Sequence, residues 1–263
     1  MKNQTGGLSM LLAVDIGNTN ITLGGFEGGE LAFVARIATV SAATEDEYAA
    51  SIMNIFSLRG IPRERIDGAI IASVVPPLNT VMRQAIELLF GIKPLLVGPG
   101  VRTGVSIHCD TPSTVGADII AAAAAAGRLY GAPALIVDMG TATKIIAVDG
   151  SGAFIGVSII PGVTMGLDAL SSGTAQLPRV SLEPPSSVIG KNTADCMRSG
   201  AIYGNAAMID GMIERIRAEL GYDAPVYATG GLASMILPYC RTEITLDSHL
   251  VLKGLNLIYQ KNL

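Results

Sequence analysis

Charge is scarce in this sequence: charged residues are 15% of it and aromatic residues 5%, tryptophan is absent, and only two histidines and three cysteines occur. Set against 49% hydrophobic residues and 31 glycines, that scarcity excludes a disordered chain and a coiled coil, both of which are rich in charge. A basic excess is also missing. The formal net charge is −4 and the pI about 5.2, so no broad positive surface exists to neutralise a nucleic-acid backbone, and no nucleic-acid partner is expected. A polyanionic ligand must then be held by backbone N–H groups, a few cations and a bound metal. Cys109, Cys196 and Cys240 are odd in number, far apart, and lack a CxxC pair or a nearby histidine pair to complete a zinc site. Free thiols in a reducing, cytoplasmic setting fit them best. The apolar run "IIAAAAAAG" is too short to cross a bilayer and is bounded by Asp118 and Arg128, so no membrane partner is expected and a small-residue helix packed on a sheet is the better account. The opening "MKNQTGGLSMLLAVDIG" lacks a cleavage site of the secretory kind and reads as a ragged start followed by a strand.

What is present is an internal echo. At 263 residues the chain can form one large domain or two lobes. "LLAVDIGNTNITLGGF" (11 to 26) aligns with "ALIVDMGTATKIIAVD" (134 to 149): an apolar strand, Asp, Gly, small polar residues, then a second apolar strand. Glycine lets backbone approach a ligand, successive N–H groups and threonine hydroxyls suit phosphate oxygens, and the aspartate suits a cation. A single Asp-Gly after a strand is ordinarily just a tight turn; two copies suggest opposed turns gripping one polyphosphate and its metal across a cleft. A third piece, "VYATGGLASMI" (226 to 236), reads as strand, Thr-Gly-Gly, helix, where a nucleoside can lie against bare backbone. "GPGVRTG" (98 to 104) has the wrong spacing for a dinucleotide fingerprint and reads as a loop. Elsewhere the pattern is α/β. "LAFVARIATV" and "DGAIIASVVPP" read as strands, "TEDEYAASIMNIFSLRG" as a helix capped by Thr44, and "LNTVMRQAIELLFG" as a helix stopped by glycine. "GADIIAAAAAAGRLYG" reads as a helix leading to the second hairpin, and "NTADCMRSGAIYGNAAMIDGMIERIRAEL" as one long helix capped by Asn192 or Thr193.

In these residues the chain resembles the type III pantothenate kinases of bacterial coenzyme A synthesis, within the actin-like, ribonuclease-H-like superfamily. The matching stretches are "DIGNTN" (15 to 20), "TEDEY" (44 to 48), "SVVP" (73 to 76), "PSTVGAD" (112 to 118), "DMGTAT" (138 to 143), "PGVTMGLDAL" (161 to 170), "TAQLP" (174 to 178), "GKNTADCMRSG" (190 to 200) and "ATGGLA" (228 to 233). The resemblance implies an α/β, duplicated ribonuclease-H-like (actin-like ATPase) fold of two lobes, 1–120 and 121–263, each a mixed sheet flanked by helices, with a central cleft. It further implies ATP-dependent phosphorylation of pantothenate to 4'-phosphopantothenate by a homodimer that uses Mg2+ with ATP and a monovalent cation, K+ or NH4+. Carried over by position, Asp15 and the amides of Gly17, Asn18 and Thr19 meet the ATP phosphates and Mg2+. Asp118, with Gly116 and Ala117, faces the pantothenate hydroxyl as base. Asp138 helps to bind the monovalent cation, and Gly140, Thr141 and Thr143 line the second phosphate turn. Gly230 and Gly231 lie on the adenosine side, and Thr174 approaches the substrate from the partner subunit.

Three positions depart from the family pattern. An arginine that meets the substrate carboxylate is replaced by Ile119, which cannot make the bidentate contact of a guanidinium. A tyrosine that contacts pantothenate is replaced by Cys109, beside His108. The threonine that usually ends the second turn is replaced by Lys144. Lys144 is either a solvent-facing residue of the outgoing strand or a group whose ammonium stands where the potassium or ammonium ion sits, or on a phosphate. His108 is either an exposed loop residue or a replacement for the lost positive charge near the substrate. These substitutions leave two further readings beside the pantothenate kinase: a weakened or inactive paralogue with a regulatory or binding role, and a kinase for another small alcohol. Retention of Asp15, Asp118 and Asp138 favours the pantothenate kinase.

Overall fold

The structure is a computed structural model that describes residues 9–263; the reading of the chain's start before Ser9 lies outside the described residues. In chain order the elements are β1 (Met10–Ile16), β2 (Asn20–Glu27), β3 (Glu30–Ala38), α1 (Glu45–Leu58), β4 (Ile66–Ser73), α2 (Pro77–Phe90), β5 (Leu95–Leu96) and α3 (Ala117–Leu129). The second series is β6 (Ala134–Met139), β7 (Ala142–Val148), β8 (Phe154–Pro161), α4 (Val163–Gly173), α5 (Thr193–Ser199), α6 (Asn205–Leu220), β9 (Val226–Thr229), α7 (Ala233–Ile236), β10 (Thr245–Leu246) and α8 (Leu250–Gln260). One sheet has the order β3-β2-β1-β4-β5 and the other β10-β9-β6-β7-β8. In each, the strand carrying the motif aspartate pairs antiparallel with the next strand and parallel with the strand on its other side. The same topology, occurring twice, is the duplicated ribonuclease-H-like fold.

By packing, the described chain falls into two compact units, one of residues up to Gly104 with 113–125 and 251–263, the other of 105–112 with 126–250. These units divide the chain differently from the lobes 1–120 and 121–263, because α8 belongs to the second series by order and to the first unit by packing.

In the first unit, strand alternation sends Met10, Leu12, Val14 and Ile16 to one face, where they pack with Ile52 and Phe56 of α1 and Leu78 and Met82 of α2. Helix α1 starts on the Thr44 capping box: the Glu47 amide donates to the Thr44 hydroxyl, and the Glu47 carboxylate accepts the Thr44 amide at 2.8 Å. Helix α2 enters on Pro77 and stops at Gly91, whose φ of 68° is the left-handed cap that glycine adopts without strain. The other sheet face carries Leu11, Phe26 and Ile70 interspersed with glycines. A Cβ on Gly24 would meet Leu252, and one on Gly68 would meet Tyr259, so α8 lies close on the sheet because side chains are missing there.

In the second unit Leu135, Val137, Met139 and Ile145 face Val163 and Leu167 of α4 and Ile209 and Ile213 of α6. Asn192 caps α5 by accepting the Asp195 amide at 2.9 Å. The stretch expected as one long helix is helical throughout, with a π turn at Gly200–Gly204 joining α5 to α6.

Candidate active site

The candidate residues form two groups, one in each unit. In the first, the β1 register puts Asp15 at the strand end, opposite Thr22 on β2 and beside Ala72 on β4. The turn that follows is closed by the Gly17 amide donating to the Asn20 carbonyl at 3.0 Å. Thr39 holds it from below: its hydroxyl donates to the Gly17 carbonyl at 2.7 Å and its amide to the Thr19 carbonyl at 3.0 Å. Asn18 and Thr19 are therefore fixed yet exposed, which suits backbone contact with a phosphate.

Asp118 lies in the first turn of α3 and is 9% exposed. Its Oδ1 accepts the Ile119 amide at 2.8 Å, which fixes the carboxylate at the start of the helix. Gly116 leaves room for it, since a Cβ there would fall 2.5 Å from Asp118 Oδ1 and push the carboxylate aside. Ala117 opens the helix. Ile119 is buried at 6% exposure, so the position where the resemblance expects an arginine is part of the apolar packing.

In the second group the β6 register sets Asp138 opposite Lys144 on β7 and opposite Thr229 on β9. The lysine is not a solvent-facing residue of the outgoing strand: Lys144 Nζ lies 2.7 Å from Asp138 Oδ2, and both side chains are largely buried. The adjoining turn is closed by the Gly140 amide and the Ala142 carbonyl at 3.2 Å. Two glycines outside that turn build its walls. A Cβ on Gly162, which opens α4, would lie 2.1 Å from the Thr141 carbonyl oxygen. Gly230 has φ of 93°, and a Cβ on it would run into the Met139 backbone at 2.5 Å. The Thr-Gly-Gly turn thus sits directly on the end of β6, with Gly231 exposed beside it.

Thr143 is paired with Met139, so its side chain shares the helix-covered face of the sheet, opposite to Asp138 and Lys144. Its Oγ1 is buried there without a hydrogen-bond partner from the protein. His108 lies away from this turn. Its amide donates to the Phe154 carbonyl, and its ring is near Asp149, at the other end of β7. The Asp149 carboxyl is held below its usual value mainly by the Ser151 hydroxyl, with His108 a minor cause. Cys109, half-buried, follows in the same segment. Thr174 is the exposed C-cap of α4, its hydroxyl donating to the Leu170 carbonyl at 2.8 Å. Thr229, paired with Asp138, and Gly162, packed on Thr141, also adjoin this turn; both lie in stretches that carry the family resemblance, a threonine just before Gly-Gly and a Pro-Gly pair before a helix.

Among the described residues no three His, Cys, Asp or Glu side chains converge to cage a metal. The single carboxylate of Asp15, at the end of β1 beside an exposed glycine turn, would fit Mg2+ carried by a nucleotide, since Mg2+ at such sites takes most of its ligands from phosphates and water and only one or two from carboxylates.

Residues 11–215 match the family described as type III pantothenate kinase. The chain belongs to the type III pantothenate kinases. A type III pantothenate kinase of Moorella thermoacetica is 44% identical over 253 residues, covering 96% of this chain and 100% of the relative. Another from Halalkalibacterium halodurans is 42% identical over 253 residues, covering 96% and 100%. Among solved structures, component A of (R)-2-hydroxyglutaryl-CoA dehydratase from Acidaminococcus fermentans superposes with a TM-score of 0.58 at 14% identity, covering 95% of this chain and 97% of that one, a likeness of fold alone. No helix of the described residues is long and apolar enough to cross a membrane.

Proposed function

We propose that this chain transfers the γ-phosphoryl group of ATP to the hydroxyl of pantothenate, forming 4'-phosphopantothenate in the first step of coenzyme A biosynthesis. The observation that carries this reading is the pair of aspartate-and-glycine turns at equivalent strand ends of a duplicated fold, in a chain of this family. Phosphoryl transfer asks the protein mainly for alignment and charge neutralisation. Mg2+, when bound with ATP, would supply neutralisation of the phosphate charge. Asp15 is assigned to that ion, and the exposed Gly17-to-Thr19 turn to the phosphates. The backbone of Gly140 and Thr141 serves the second phosphate contact, while Gly230 and Gly231 accept the adenosine against bare main chain. Asp118 orients the acceptor hydroxyl and takes its proton; its burial in the first turn of α3 holds the carboxylate in one position.

Ile119 removes the guanidinium that would grip the substrate carboxylate, so pantothenate must be held by other groups and its KM is expected to be high. The active form is assigned as a cytoplasmic homodimer in which exposed Thr174, beside the exposed Met165 and Leu170 of α4, reaches the partner's substrate. The test is pantothenate-dependent ADP release by the purified chain with Mg2+. Turnover that requires pantothenate and disappears in Asp15→Asn supports the reading. ATP hydrolysis indifferent to pantothenate would sink it.

A further inference from the structure

The two halves of the fold can be compared slot by slot. Opposite Asp15 the hairpin partner is Thr22, and the parallel neighbour is Ala72. Opposite Asp138 the same slots hold Lys144 and Thr229. The second half therefore carries, at the turn that follows its aspartate, a cation that the first half lacks. It is not loosely placed: Lys144 Nζ is 2.7 Å from Asp138 Oδ2, with side-chain exposures of 15% and 12%, so most of the solvent that would screen the pair is gone.

Asp138 is also the carboxylate at which family resemblance expects a monovalent cation, and the residues present do not fit one. An ion coordinated by this carboxylate would lie against the ammonium already bonded to it, and like charges repel strongly where water is scarce. Thr229, 2% exposed on the other side of Asp138, adds an oxygen but no charge to offset that repulsion. An ammonium group is itself a compact monovalent cation with three donors, and here it hangs from the chain. Resting on the proposed kinase reading, we propose that Lys144 is a tethered substitute for the monovalent cation at the second phosphate turn, so that this enzyme works without K+ or NH4+. The cost of recruiting and ordering a free ion disappears, and the positive charge is present at any salt composition. Asp138 becomes the counter-ion that aims the ammonium, instead of the ligand of a free cation.

The test uses the full chain and its variant Lys144→Thr, which restores in the second half the residue that faces Asp15 in the first. Tl+, a spectroscopic stand-in for K+, is titrated by thallium NMR with Mg2+ and a non-hydrolysable ATP analogue present, and turnover is measured in K+, NH4+, Na+ and N-methylglucamine salts. The wild type is expected to show no saturable Tl+ site and equal turnover in every salt. Lys144→Thr is expected to bind Tl+ in competition with K+, and to lose about tenfold or more of its turnover in Na+, the scale of one charge-assisted contact, with recovery in K+ or NH4+. A saturable, K+-competed Tl+ site in the wild type overturns the proposal, as does a folded Lys144→Thr that binds no Tl+. Should that variant not fold, Lys144→Met replaces it, and the wild-type titration decides by itself. If no salt supports pantothenate phosphorylation, the kinase reading fails, while Tl+ binding still decides the role of Lys144.

Discussion

Asp118 carries the largest residue-scale prediction. A positioned base contributes about 10²- to 10⁴-fold, so Asp118→Asn should lower kcat by that order while leaving nucleotide affinity, measured by calorimetry with an ATP analogue, near the wild-type value. Near-normal turnover would remove Asp118 from the role. The cysteines give an independent check on local environment. Burial, and secondarily Asp210, pushes the Cys240 thiol up to about 11, whereas Cys196 is exposed. At pH 8 iodoacetamide should label Cys196 well before Cys240 by peptide mass spectrometry, because the thiolate is the reacting form; equal labelling would contradict the raised, half-buried thiol. At this scale the strand-end places of Asp15 and Asp138 and the glycine turns after them were legible in the sequence, but the directions of the side chains were not. Thr143 and Lys144 are neighbours in one motif, and a strand sends them to opposite faces. Only the pairing of Met139 with Thr143 and of Asp138 with Lys144 settles which face each takes.

Elements add their own tests. Where α8 crosses α3, a Cβ on Gly254 would lie 1.9 Å from the Ala121 carbonyl oxygen. Replacing a helical glycine by alanine usually stabilises by about 1 kcal/mol, but overpacking costs typically about 1–3 kcal/mol. Gly254→Ala should therefore be net destabilising, visible as a lower urea midpoint, and a raised midpoint would contradict the close approach. Helix α6 holds the loop after α7 through Asp210, whose carboxylate accepts the amides of Arg241 and Thr242 at 2.8 and 2.9 Å. Burial by itself would raise the Asp210 pKa, yet these bonds outweigh it and leave the carboxyl below its usual value. The folded pKa thus lies below the unfolded one, so the stabilisation is fully present above the ordinary carboxylate pKa and is lost as pH falls through the depressed value. Asp210→Asn should cost about 1–3 kcal/mol at pH 7, and the difference from wild type, followed by thermal melts, should shrink on acidification. The starts of α1 and α5 and the end of α2 were legible because their caps are local in sequence. The π turn at Gly200–Gly204 was not, since it preserves the helical pattern on both sides.

At the scale of the whole molecule the duplication is the organising fact. The repeat of strand, aspartate and glycine turn, together with the family resemblance, implied a duplicated fold, and the two sheets share one topology. The packing of α8 with the first unit was hidden, because it depends on absent side chains at Gly24, Gly68 and Gly254, which are meaningful only once the partners Leu252, Tyr259 and Ala121 are placed. This duplicated scaffold phosphorylates pantothenate from ATP, and its own lysine is proposed as the fixed cation. The most direct measurement is phosphorus NMR of ATP, Mg2+ and pantothenate incubated with the purified chain in K+-free, NH4+-free buffer. The account predicts a new phosphomonoester signal growing in step with ADP, at the same rate after K+ is added. A signal that appears only with K+, or ADP formed with no phosphomonoester, would contradict it.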